Sequence, residues 1–484
     1  AVLKGKSILK NSKQDRVNGY NKKESLYKDT PGKLHASFRD PSGFIFTEKD
    51  VLYRQVNQVY QENYDLLMKS GLYDRLVKNG WMVSHQEVED VSYRPDIAYK
   101  VLKPLCLEFI SYPYEWCFSQ LKDAAFLTLN IQQIALQFGM SLKDASAYNI
   151  QFAEGRPVFI DTLSFEQYKD GQPWVAYRQF CQHFLAPLAL MAKKDIRLGR
   201  VLSLYIDGIP LDLASKLLPK SSWWRLGLVF HLHIHAKSQK AYGKSEQWQT
   251  GHTPKHRPVS RLGLEGILNG LVKTVDNLKW NPGGTEWGSY YSDINYSEQA
   301  FQQKSEIIDK YLDKMIPKNV WDLGGNIGVF SRIASDKGIP TFSFDVDPTA
   351  VEINYRQVRE KNEKRIFPLL LDLTNPSPAL GLDCSERSSI YQRGPADCVL
   401  ALALIHHLAI SNNVPFDRMA EMFARLGRCL IIEFVPKSDS QVQRLLRSRK
   451  DVFGQYEKNN FEAAFSEWFS IEMKDQITDS QRIL

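Results

Sequence analysis

Cysteine pairs, long apolar runs and evenly spread positive charge are all missing from this chain. Its six cysteines (106, 117, 181, 384, 398 and 429) lie far apart with no CxxC pair. That spacing excludes a zinc ribbon and predicts free thiols in a reducing, cytoplasmic setting. The longest apolar stretch, Val399 to Ile410, is interrupted by His406 and His407. It falls short of the roughly 18 residues that a transmembrane helix needs. No secretory signal is legible, and the ends, lacking an initiator Met, are expected to be trimmed. The formal net charge is +7, but residues 1–34 hold nine Lys or Arg against three Asp or Glu, leaving the remainder almost neutral. A nucleic-acid enzyme carries its positive charge along a binding face, so no nucleic-acid partner is expected. Residues 1–35 read instead as a flexible basic arm, solvated or set against an anionic partner.

With 43% hydrophobic and 24% charged residues in 484, the remainder has ample core for two to four domains. The chain is organised around Asn319 to Ala350, NVWDLGGNIGVFSRIASDKGIPTFSFDVDPTA. A short apolar run predicts a buried strand and Asp322 to Gly328 a tight glycine-rich turn. Val329 to Ser335 has helical spacing, and Thr341 to Phe344 is a second strand ending on Asp345. Such a βαβ unit holds a nucleoside-bearing cofactor at its strand ends. The acid ahead of the first glycine decides the ligand class. Asp322 would repel a pyrophosphate but suits a cationic amino-acid tail.

DLGGNIG, with Asp345 beyond the next strand, resembles motifs I and II of class I S-adenosyl-L-methionine (SAM)-dependent methyltransferases. The resemblance implies SAM held by Asp322, Gly324, Gly325, Asn326 and Gly328, with Asp345 on the ribose hydroxyls. Asp372, closing the next strand, would lie near the adenine amino group. Further strands at Arg365–Asp372, Asp397–Leu404 and Cys429–Val435 predict a doubly wound Rossmann-like sheet, with Trp468–Ile471 and Gln481–Leu484 as its last strands. DLGGNIGVFS, FDVDP, ALALIHHLAI and LIIEFVP together resemble the NoeA-type nodulation-protein branch of these enzymes. That resemblance implies a glycan or other small-molecule hydroxyl as methyl acceptor.

Methyl transfer to a hydroxyl requires alignment and removal of one proton. His406 and His407 stand at the carboxyl end of the fourth strand, His407 preferred as base, with Glu433 expected to orient the histidine or the acceptor. Ala403 and Leu404 stand where a catechol-type site would need oxygen ligands, so no metal is expected.

The amino-terminal region carries a second constellation. Asp144, Asn149 five positions later and Asp161 at the end of an apolar strand have phosphoryl-transfer spacing: one proton acceptor and two holders of the metal that bridges ATP phosphates. It resembles the catalytic loop of protein-kinase and aminoglycoside-kinase folds, which implies an α+β kinase-like domain and Mg-ATP. Against activity, no glycine-rich loop precedes it, Arg54 stands in place of the phosphate-pairing lysine, and Thr162-Leu163 follows Asp161. The expected organisation is therefore arm 1–35, kinase-like domain 36–236, linker 237–261 and methyltransferase domain 262–484. The aromatic cluster between Trp280 and Tyr296 is expected to cap the cofactor or to pack.

The leading expectation is a SAM-dependent O-methyltransferase whose degenerate kinase-like domain binds substrate or partner. The alternatives are a bifunctional kinase-methyltransferase of glycan ends and a non-catalytic SAM-binding scaffold. Nothing in the sequence specifies an oligomeric state.

Overall fold

The computed structural model describes residues 2–5, 32–236, 258–283, 297–447 and 450–484. The chain forms two compact units. One comprises Ala1–Leu26, Pro282–Ala379 and Arg387–Leu484, the other Tyr27–Asn281 and Leu380–Glu386.

The first unit is built on a seven-stranded sheet. Its order is Ile366–Leu370, Thr341–Asp345, Val320–Leu323, Ala396–Ala401, Gly427–Ile432, Val2–Gly5 and Phe469–Met473. The first five run parallel, whereas Val2–Gly5 is antiparallel to both its neighbours. The central strands are apolar on both faces because helices cover both, as parallel sheets require. Val320, Cys398, Leu400 and Ile431 share one core with Ile307, Ile308, Tyr311 and Leu312 of helix Glu298–Met315. The expected βαβ core and its strand sequence are present. Of the two last strands, Phe469–Met473 forms, while Ile483 makes only isolated bridges to Phe434 and Gln476.

Two expectations are corrected. The basic arm does not begin as free chain: Val2–Gly5 fills the sheet, with buried Leu3 opposite Leu430 and Ile471. A four-residue strand is too short to show a period among lysines, yet it pairs two strands that would otherwise present open edges. Residues 6–31 lie outside the described residues. The boundary also moves, since helix Arg261–Asp276 packs on helix Phe118–Gln137 and belongs to the amino-terminal unit. Most of the expected linker, 237–257, lies outside the described residues.

The amino-terminal unit has a five-stranded antiparallel sheet ordered Gly32–Lys33, Gly43–Glu48, Val51–Asn57, Ala98–Pro104 and His85–Val88. Helix Phe118–Gln137, two short ribbons and a helical region follow it. Gly43–Glu48 and Val51–Asn57 form a hairpin, and the helical stretch after it breaks at Gly71 into Gln61–Lys69 and Leu72–Lys78. Trp280 packs 6.4 Å from the Phe118 ring within this unit. Trp287, Tyr290, Tyr291 and Tyr296 of the aromatic cluster lie outside the described residues.

Candidate functional site

The backbone turns after Leu323 and pins itself to the neighbouring strand. The amides of Gly324 and Gly325 donate to the Phe344 carbonyl at 2.8 and 2.9 Å, and Gly328 donates to the Gly325 carbonyl at 2.8 Å. Two glycines are obligatory here. A Cβ on Gly325 would lie 2.5 Å from Ser343 Oγ. Gly328 has φ +80°, and a Cβ there would lie 2.5 Å from Asn354 Nδ2 and 2.6 Å from an Arg332 guanidinium nitrogen.

Asp345 faces this turn from the next strand end. Its carboxylate accepts the amides of Asn326 and Asp347, each at 2.8 Å, so it reads both backbones at once. Asp322 accepts the Ser331 hydroxyl at 2.6 Å and is almost wholly buried. Burial pushes both carboxyls up to about 6; the Ser331 hydrogen bond and Lys304 pull Asp322 back, while its neighbour Asp345 adds to the rise. Asp372 accepts the Thr374 amide at 2.9 Å and its hydroxyl at 2.6 Å.

These carboxylates open onto one cavity of about 370 Å³ at the carboxyl ends of the parallel strands. That is where open α/β sheets bind ligands, and the volume lies within the roughly 300–1,000 Å³ of small-molecule sites. Asp322, Gly324, Gly325, Asn326, Asp345, Asp372 and His407 all line it, so seven of the residues singled out in the sequence meet in one place. Val346, Leu371 and Leu373 supply apolar wall beside Asp345 and Asp372.

Three expected residues are not in the wall. Gly328 shapes the turn from behind. His406 is buried, with no hydrogen-bond partner at Nδ1, and its pKa is driven well below 6.5 by burial and then by His407. Glu433 is wholly buried and accepts Lys304 Nζ at 2.7 Å, the Ala403 amide at 2.8 Å and the Arg482 guanidinium at 3.4 Å. Glu433 therefore fixes the turn after the fourth strand and a lysine, and does not itself touch the cavity. Strand-end position suggested an acid that orients the histidine or the acceptor; instead the helix Glu298–Met315 brings a cation down onto it. His407, in contrast, opens a π-helical turn, His407–Ser411, and lines the cavity with Ser411 and Asn412. Burial lowers its pKa to about 4, so the ring is neutral at pH 7.

Lys304 is a charged lining residue that sequence reasoning missed. Its ammonium stands 4.4 Å over the Phe330 ring, and burial, outweighing Glu433, lowers its pKa. The signal was available: Ala300, Lys304, Ile307, Ile308 and Tyr311 fall on one helical stripe and all are buried.

In the amino-terminal unit, Asn149 Nδ2 donates to Ser164 Oγ at 3.1 Å, and the Ser164 hydroxyl donates to Asp161. Asp161 is ion-paired to Arg54, a guanidinium whose pKa burial lowers to about 10. Asn149 and Asp161 are thus joined through Ser164, while Asp144 accepts the Ser146 amide at 2.8 Å and caps its own turn. The alternating His231, His233 and His235 sit on helical turns, where Tyr177 takes His231, and Ser215 and Ser222 take His233.

No protein-family model matches the chain. Over 460 residues it is 34% identical to nodulation protein NoeA of Rhizobium meliloti (strain 1021), a match spanning 94% of this chain and 95% of that one. The chain belongs to the NoeA family. Among solved structures, this NoeA-family chain is similar to magnesium protoporphyrin IX methyltransferase from Synechocystis PCC 6803 with bound SAH. That match is 18% identical, covers 40% of this chain and 88% of that one, and has a TM-score of 0.28. It is similar also to monomeric WbdD, at 13% identity, 42% and 44% coverage and a TM-score of 0.26. No helix among the described residues is long and apolar enough to cross a membrane.

Proposed function

We propose that this NoeA-family chain is a SAM-dependent O-methyltransferase acting on a carbohydrate or other small-molecule hydroxyl. One observation carries the reading: the turn carboxylate Asp322, the strand-end carboxylate Asp345 and the neutral imidazole of His407 line the same cavity. The donor set fits SAM. Three carboxylates against one lysine leave the wall net negative, which suits a ligand with an ammonium and a sulfonium and disfavours a pyrophosphate. Asp345 lines the cavity with a two-oxygen carboxylate, one oxygen toward the Asn326 amide and one toward the Asp347 amide, suited to a vicinal diol, and Val346, Leu371 and Leu373 offer an apolar face for a planar base.

When bound, SAM supplies an electrophilic methyl group. The chain's own residues align the acceptor and handle its proton. His407 is unprotonated at neutral pH and takes the hydroxyl proton, and Ser411 and Asn412 offer polar contacts to a hydroxylated acceptor. Glu433 acts at one remove, holding Lys304 and the Ala403 amide so that the turn leading to His407 keeps its place.

For the amino-terminal unit, the reading is a binding domain without phosphoryl transfer. Arg54 closes on Asp161, so a metal there would have to displace a cation. Addition of Mg-ATP is expected to leave the melting temperature unchanged; a rise of several degrees that disappears in Asp161→Asn would establish the bifunctional alternative instead. The methyltransferase reading is tested by calorimetric titration with S-adenosylhomocysteine. Binding is expected, about tenfold or more weaker in Asp345→Asn, because a hydrogen bond to a charged group is worth about 1.5–3 kcal/mol. Absence of binding at millimolar ligand would remove it.

A further inference from the structure

In the amino-terminal unit, helix Leu211–Leu217, the turn Lys220–Trp224 and the helical run Leu226–Ile234 pack on one another. Their inner side is well made. His233 is fully buried, bonded at Nδ1 to Ser215 Oγ (2.7 Å) and at Nε2 to Ser222 Oγ (2.9 Å), with the Trp223 ring stacked on it at 4.2 Å. The outer side is apolar. Trp224 is 89% exposed, Leu226 73% and Phe230 59%. Leu226 and Phe230 lie four residues apart, on the face opposite buried Leu228 and Leu232. Thus a rigid turn, anchored by a buried histidine, holds large apolar side chains in water, where solitary exposed apolar residues are ordinary but a contiguous group marks a contact surface.

The charges say which surface. Residues 213–236 contain no Asp or Glu, and Lys216, Lys220 and Arg225 are all exposed among the apolar side chains. Arg225 is also close enough to Lys193 to depress its pKa, after burial. A protein partner would be met by a rim of mixed sign with hydrogen-bonding groups. Tryptophan with leucine and phenylalanine, interleaved with three exposed cations that outnumber the acids of the same helices, is the composition of an interfacial membrane contact: apolar side chains enter the headgroup boundary and the cations meet anionic lipid.

We infer that this face docks the protein on an anionic phospholipid bilayer, peripherally, through Trp224, Leu226 and Phe230 flanked by Lys216, Lys220 and Arg225. The inference is independent of what the cavity in the other unit binds.

The test is co-sedimentation of the full-length chain with vesicles of phosphatidylcholine alone or mixed equally with phosphatidylglycerol. Binding to the mixed vesicles is expected to be at least tenfold tighter than to phosphatidylcholine, and to weaken as salt rises. Trp224→Ala/Phe230→Ala should cost at least tenfold. Replacing all three cations by Gln should cost about a hundredfold, at about fivefold per lost cation. The substituted side chains are exposed, so unchanged melting temperatures accompany these losses. Equal binding to both vesicles overturns the inference. So does undiminished binding of Trp224→Ala/Phe230→Ala, which would assign any lipid affinity to the basic amino-terminal segment. A dimer in sedimentation velocity that Trp224→Ala/Phe230→Ala converts to monomer also overturns it, in favour of self-association.

Discussion

Replacing Glu433 by Gln removes one charge from beneath the cavity and almost no volume. The glutamine oxygen still accepts the Ala403 amide, and Arg482 keeps Asp439 at 2.7 Å. What is lost is the counter-ion of Lys304, whose side chain is 1% exposed against Glu433 at 0%. Leaving one member of such a pair buried alone costs about 3–5 kcal/mol. With a urea dependence of roughly 2–3 kcal/mol/M, the unfolding midpoint should fall by about 1–2 M. The second variant, Lys304→Met/Glu433→Gln, also removes the stranded ammonium and should recover most of the loss, since apolar replacement of a buried pair is often neutral. The deficit of the single variant should also shrink with rising pH. Burial already lowers the Lys304 pKa, and without Glu433 it falls further. Above that depressed value the folded state is neutral while the unfolded state still binds a proton, so stability recovers as pH climbs toward the unfolded value. Urea unfolding followed by circular dichroism at pH 7 and pH 9 reads both effects. Equal midpoints for the single and double variants, or a single-variant deficit indifferent to pH, would refute the assignment of Glu433 as the buried counter-ion of Lys304.

Asp322 and Asp345 have folded pKa values of about 6, above the unfolded carboxylate value. As pH falls through 6 they take up protons, so Asp322 loses its attraction for a cation and Asp345 its strength as an acceptor toward a diol. Calorimetric affinity for S-adenosylhomocysteine should therefore drop by up to tenfold per pH unit per carboxylate below 6 and be level above 7; a flat profile from 5 to 8 would contradict the electrostatic reading. Gly328→Ala forces an L residue to a φ of +80° and its Cβ against Asn354. A loss of at least about 1–2 kcal/mol is expected in thermal melts. His407 lines the cavity and His406 does not, so diethyl pyrocarbonate should modify His407 faster by mass mapping, with S-adenosylhomocysteine protecting it; the reverse order would reject His407 as the accessible base.

Much of the candidate site was legible in sequence because it is local. Asp322, the glycine turn and Asp345 lie within about one βαβ unit, where backbone sterics and strand length fix geometry almost by themselves. The spacing of apolar strands likewise announced a doubly wound sheet. The sequence favoured His407 over His406 only slightly, since one residue of helical rotation separates a buried ring from one facing the cavity. Glu433 read as a strand-end acid because strand position says nothing about what lies above it.

What the sequence alone determined about this protein is the turn chemistry: glycine where a Cβ collides, and acids where a phosphate would be repelled. What only the tertiary structure decided is which distant groups close on that turn. Lys304 lies on the apolar stripe of its helix, but nothing along the chain says that Glu433 will meet it there. Val2–Gly5 finds its sheet position across more than four hundred residues, and Arg54 reaches Asp161 across a sheet. Such contacts are fixed by packing shape and by the energetic penalty of leaving a buried charge or a strand edge unmatched, neither of which has any periodicity to be read along the chain.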